Sequence, residues 1–287
     1  MEKNLSHSQK HSNILENVRM FLRDDKRKRF LKIFVIVAIL LVAFVARVWN
    51  AGDRDLIGDE AAYAFRSVGL VDYLGTSFQT QPIEWFADEK LPTWTRLSFH
   101  DHPPFGFLVQ HIFFRVFGDS IAVARLPAVL FGAGFVFLVY LVGCRLFNEI
   151  TGFVAAALTA VSAASIWIFR TSLLEPTLLF LILANICLFL KFVEEESWRK
   201  KYFWLFGGTF GLVLLTKYTG IFLLPLYAVY IFIFANELFK NWRLYIAFAI
   251  AFLFLSPVII YNVVLFKTTG HFDLQIAYAL GQETPEW

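Results

Sequence analysis

Apolar and polar positions along this chain are grouped in long blocks. A hydrophilic stretch, 1–30, ends in Lys26-Arg27-Lys28-Arg29 and gives way to an apolar run over 31–49. A polar interval, 51–120, comes next. Six further apolar runs then occupy 121–143, 152–169, 173–190, 202–216, 221–235 and 244–264. About 20 apolar residues cross a ~30 Å hydrocarbon core, and backbone in lipid must satisfy its own hydrogen bonds, which runs of this length do as helices. The pattern predicts an all-α, polytopic transmembrane protein with about seven spans. It divides into a basic cytoplasmic tail (1–30), a single transmembrane domain (31–264) with a large outer loop (51–120), and the start of a further outer loop (265–287) at which the chain reads as truncated.

One patchy apolar segment, 105–118, carries Gln110, His111 and Arg115. At about 14 residues it suits an interfacial helix better than a span. The basic loops agree. With 105–118 flat on the outer surface, Arg145, then Lys191, Arg199, Lys200 and Lys201, then Lys240 and Arg243 all fall in the cytoplasm, as the positive-inside rule requires. That parity brings 51–120, Arg125, the 170–175 turn, the Lys217 turn and the tail from 266 to one outer face.

Composition narrows the class further. Hydrophobic residues make up 58% and charged residues 17% of the 287, against about 45–50% and 25% in soluble domains. A net charge of +3 gives no nucleic-acid footprint. A cleavable signal peptide would place its apolar core nearer Met1, so 31–49 reads as an uncleaved anchor. Cys144 and Cys187 sit in apolar runs without metal or disulfide spacing.

The polar interval holds two compact clusters, Gly58-Asp59-Glu60 and His100-Asp101-His102-Pro103-Pro104. Asp59 precedes a good helix-forming stretch and suits either an N-cap or a general base. His102, with its neighbours, could ligate a metal or form a polar hinge ahead of 105–118. Arg125, Arg170, Glu175 and Lys217 lie at the mouths of apolar runs, where charge is costly and marks either snorkelling or function. Two or three cations beside an acidic pair suit an anionic lipid head group next to a base.

In order, the anchor, the outer Asp59-Glu60, His102-Pro103-Pro104, Ala124-Arg125-Leu126-Pro127, the 170–175 stretch Arg-Thr-Ser-Leu-Leu-Glu and Leu215-Thr216-Lys217 resemble the polyprenyl-phosphate-dependent glycosyltransferases of the GT-C fold. The protein O-mannosyltransferase, lipid A aminoarabinose transferase and RgtA/B/C/D-like group is the nearest. The resemblance covers about 31–217. It implies an inverting transfer of a sugar from a polyprenyl-phosphate donor to a hydroxyl of a protein, lipid or glycan acceptor, on the extracytoplasmic face of the cell membrane. It implies catalytic roles for Asp59 and Glu60, and a donor-phosphate site at Arg125, Arg170 and Lys217. Glu175, where several relatives carry aspartate, and His102 are its supporting residues, with a divalent metal ion as the candidate cofactor. The competing class is a non-enzymatic transporter of a lipid or anionic solute.

Overall fold

The computed structural model describes residues 3–69, 102–194 and 200–282. His100 and Asp101 of the second polar cluster lie outside the described residues. Within them the chain is helical, with no strand. The order is α1 (Lys3–Val48), α2 (Asp59–Gly69), α3 (Phe105–Phe117), α4 (Ile121–Leu146), α5 (Glu149–Val161), α6 (Ala163–Ile168), α7 (Glu175–Glu194), α8 (Lys200–Thr216), α9 (Leu223–Phe234), α10 (Trp242–Thr269) and α11 (Leu274–Ala279).

Each apolar run read from the sequence is helical. Among the described residues, four helices are long and apolar enough to cross a membrane: Lys26–Val48, Ile121–Leu146, Glu175–Val193 and Trp242–Lys267. The other three runs form shorter helices. The run predicted over 152–169 breaks at Ser162, whose extended backbone ends α5 and whose hydroxyl accepts the Ser165 N–H to start α6. The run 221–235 opens with a 3₁₀ turn, Tyr218–Phe222, before α9.

Among the described residues, two packing centres join the spanning helices. Phe189, Phe206, Phe210, Tyr227 and Leu244 are buried between α7, α8, α9 and α10. Inside that apolar mass Asn185 donates to the Phe206 carbonyl at 2.8 Å and accepts from the Tyr227 hydroxyl at 2.5 Å. A second, smaller centre joins α1, α4 and α5 through Ala43, Val136, Ala156 and Ala160. Small residues permit this closeness. A Cβ on Gly143 would meet the Gly152 backbone at 2.7 Å, so α4 and α5 cross nearly backbone to backbone.

The segment 105–118 forms α3 as predicted, and its polar residues are its docking bonds. Gln110 donates to the Ala124 carbonyl of α4 at 2.8 Å, and the Nδ1–H of His111 donates to the Ser67 carbonyl of α2 at 2.7 Å. The opposite side of α3 leaves Leu108, Ile112 and Val116 exposed at a spacing of four, an apolar stripe of the kind that an interfacial helix presents.

Candidate active site

The chain enters the site region through Gly58. Its φ of +59° lies in the left-handed range, which glycine adopts without a Cβ penalty. Its carbonyl accepts from the Ala61 and Ala62 N–H groups, so Gly58 occupies the position that opens α2. The capping alternative for Asp59 therefore does not hold. Asp59 is the first residue of the helix, its exposed carboxylate makes no hydrogen bond or ion pair among the described residues, and it sits where the helix dipole favours an anion.

Glu60, the next residue, is engaged on all sides. Its carboxylate accepts from Arg125 Nε at 3.1 Å and Nη2 at 3.0 Å and from the Ser172 backbone N–H at 2.7 Å, while its carbonyl accepts from the Ser172 hydroxyl. Arg125 Nη1 donates to the Ala51 and Arg54 carbonyls, both at 2.8 Å, and Nη2 to the Asp55 carbonyl at 3.1 Å. The five N–H groups of a guanidinium are thus all committed, and the Arg125 side chain is only 7% exposed. Arg125 has no donor left for a phosphate. This corrects its placement in an anion site, and it makes Glu60 a strut that joins α2, α4 and the turn before α7.

Arg170 donates through Nη2 to the Trp49 carbonyl at 2.6 Å, which ties the turn after α6 to the end of α1. Glu175 opens α7 and lies 2.5 Å from the Lys217 ammonium. Lys217 reaches it because α8 ends at Thr216 and the chain doubles back. The Gly220 backbone packs so closely that a Cβ there would meet Val213 Cγ1 at 2.4 Å.

These elements enclose an open cleft of about 340 Å³, lined by Asp59, Ala62, Tyr63, Arg66, His102, Lys217 and Gln275. Tyr63 stands edge-on to His102 and to Phe107, at ring separations of 5.5 and 5.6 Å, and the Arg66 guanidinium lies 6.0 Å from the Phe107 ring centre. Tyr63, Phe107 and Leu174 form the apolar footing beneath. Of the residues singled out in the sequence, the cleft collects Asp59, His102 and Lys217, with Glu175 beside it through its bond to Lys217. Arg125, Arg170 and Glu60 do not line it. Tyr63 and Arg66 line it too, as their spacing of four and seven from Asp59 on one helix face leads one to expect. Gln275 lines it without having stood out in the sequence, because it carries no charge.

A divalent metal would need several converging oxygen or nitrogen donors. Among the described residues no three His, Cys, Asp or Glu side chains gather in that way, and the Glu175 carboxylate already holds an ammonium. The described side chains alone do not make up a metal site, and the chemistry below uses none.

A family profile described as dolichyl-phosphate-mannose-protein mannosyltransferase matches residues 101–261, more than half of the chain. Among solved structures the fold is similar to ArnT from Cupriavidus metallidurans. The apo form has a TM-score of 0.61 at 19% identity over 91% of this chain, and the form bound to undecaprenyl phosphate has 0.57 at 19% over 86%. The chain spans 45% and 42% of those two structures. No curated protein sequence matches.

Proposed function

This chain belongs to the dolichyl-phosphate-mannose-protein mannosyltransferase family, and from that premise we propose that its cleft transfers a sugar from a polyprenyl-phosphate donor to an acceptor hydroxyl at the extracytoplasmic surface. The observation that carries this reading is the meeting in one cleft of a carboxylate, Asp59, that pairs with no described residue, and two cations, Arg66 and Lys217, from distant parts of the chain.

In the proposed reaction Asp59 takes the proton from the acceptor hydroxyl as its oxygen bonds to the anomeric carbon. The bond from that carbon to the phosphate oxygen breaks, and its electron pair leaves with the lipid phosphate. One displacement inverts the anomeric centre. Lys217 and Arg66 stabilise the charge that grows on the departing phosphate. Glu175 holds the Lys217 ammonium in position, and the Glu60–Arg125 strut fixes the start of α2 that carries Asp59. His102 packs against Tyr63 as a cleft wall. The undecaprenyl phosphate in a protein of similar fold supports a long-chain lipid phosphate as the carrier. Acceptors of protein, lipid or glycan type all present the hydroxyl the reaction needs.

The test is incubation of the full-length protein, reconstituted in lipid, with a panel of polyprenyl-phosphate sugars and candidate acceptors. Consumption of one donor with release of polyprenyl phosphate is the expected result. Movement of a lipid or anion across the bilayer with every donor intact would favour a transporter and overturn the proposal.

A further inference from the structure

The cleft wall opposite α2 comes from the segment after α10, beyond the residues that match the family profile. Gly270, at φ +81°, ends α10 in a left-handed turn, and the chain folds back to α11. A buried clasp holds it there. Asp273, 0% exposed, accepts from the Tyr218 hydroxyl at 2.5 Å and Asn262 Nδ2 at 2.6 Å, donates its own N–H to Asn262 Oδ1 at 2.9 Å, and caps α11 through the Ile276 N–H at 3.1 Å. The far end is closed as well. Gln282 accepts the Phe272 N–H and donates to the Gly270 carbonyl.

Two residues past the clasp, the exposed Gln275 lines the cleft, and its side chain makes no hydrogen bond among the described residues. The other polar walls are a carboxylate, an ammonium, a guanidinium, a phenol and an imidazole. Among the described lining residues, Gln275 alone is a neutral group with two N–H donors and a carbonyl acceptor. A phosphate calls for cations and a leaving proton calls for a base. A pair of neighbouring sugar hydroxyls, each both donor and acceptor, calls for a carboxamide.

We propose that Gln275, held by the Asp273 clasp, recognises the hydroxyls of the donor's sugar and sets which sugar this chain accepts. This rests on the glycosyl-transfer reading above. Tyr218 adjoins Lys217 in the chain, so one clasp locks the sugar-reading wall to the phosphate-facing cation.

The experiment measures the affinity of the full-length protein in nanodiscs for undecaprenyl phosphate and for undecaprenyl phosphate carrying mannose, glucose, galactose, arabinose or aminoarabinose. Wild type is expected to prefer one sugar-bearing lipid over the bare lipid. Gln275→Leu is expected to lower that affinity about 5- to 10-fold, the size of a lost hydrogen bond or two, and to leave bare undecaprenyl phosphate within about twofold. Lys217→Met should weaken both. Loss on both lipids or on neither with Gln275→Leu would overturn the sugar-reading role while leaving the transfer reading intact. Wild type that binds the sugar-bearing and bare lipids equally leaves Gln275 nothing to read and overturns it too. Wild type that binds no lipid phosphate at all brings down the transfer reading and this inference together.

Discussion

Arg125 places all five of its N–H groups on acceptors supplied by the 51–60 stretch, two of them on the Glu60 carboxylate sixty-five positions away. The pair is nearly sealed from solvent, with side chains 7% and 13% exposed. An ion pair so placed gives little net stability against an apolar substitute but is costly to break from one side.

Arg125→Met should therefore act on the fold. Removing one member of a buried pair costs about 3–5 kcal/mol, and the variant should unfold at markedly lower temperature in detergent. Adding Glu60→Gln should recover part of the loss, because the amide still accepts the Ser172 N–H and leaves no buried charge. A double variant no more stable than Arg125→Met would reject the strut.

Asp59→Asn should do the reverse. The carboxylate caps nothing and pairs with nothing among the described residues, so unfolding should stay close to wild type. Single-turnover transfer should fall about 10²–10⁴-fold, the usual contribution of a general base, with donor affinity kept. Normal turnover in a folded, donor-binding variant would remove Asp59 from the base role.

Lys217 pairs with Glu175 in a partly open setting, with side chains 24% and 35% exposed. Such a pair contributes roughly 0–1 kcal/mol to stability. Lys217→Met should unfold near wild type yet bind undecaprenyl phosphate about 10- to 100-fold more weakly, as expected for loss of a charge-assisted bond. An unchanged affinity, read by lipid titration, would place the phosphate elsewhere.

The two ends of the spans are expected on opposite sides of the membrane. In a background of Cys144→Ala and Cys187→Ala, single cysteines at Asp53 and Glu237, both exposed, should react with an impermeant maleimide from outside and inside respectively. Reaction of both from one side would dissolve the argument from basic loops.

The sequence carried the helices well and their partners less well. Long apolar runs reveal spans because the membrane demands them, and α3 stood out through Gln110, His111 and Arg115 interrupting its apolar face. Lys217 and Glu175 drew notice because isolated charge at the mouth of an apolar run needs a reason, and Asp59 because it heads a compact polar cluster before a helix-forming stretch. The role of Arg125 was hidden because three of its five bonds go to the carbonyls of Ala51, Arg54 and Asp55. Every residue has a carbonyl, so that part of its partnership leaves no trace in residue type. Gln275 stayed invisible for a related reason. Its place in the cleft depends on a turn at Gly270 and on a clasp whose members are 55 and 11 residues apart.

The break between α5 and α6 bears on how the protein is assembled in the bilayer. A helix interruption in lipid strands carbonyl oxygens. Here Arg47, fully buried near the end of α1, covers them, donating to the Ala160 carbonyl at 3.1 Å, the Thr159 carbonyl at 3.2 Å and the Ser165 hydroxyl at 2.7 Å. A nascent chain that has released only its first span holds that guanidinium without those acceptors, and a charge there is costly to keep against lipid. More than a hundred residues must be synthesised before relief arrives. The first helix is thus an unfinished part until the broken hairpin emerges to complete it.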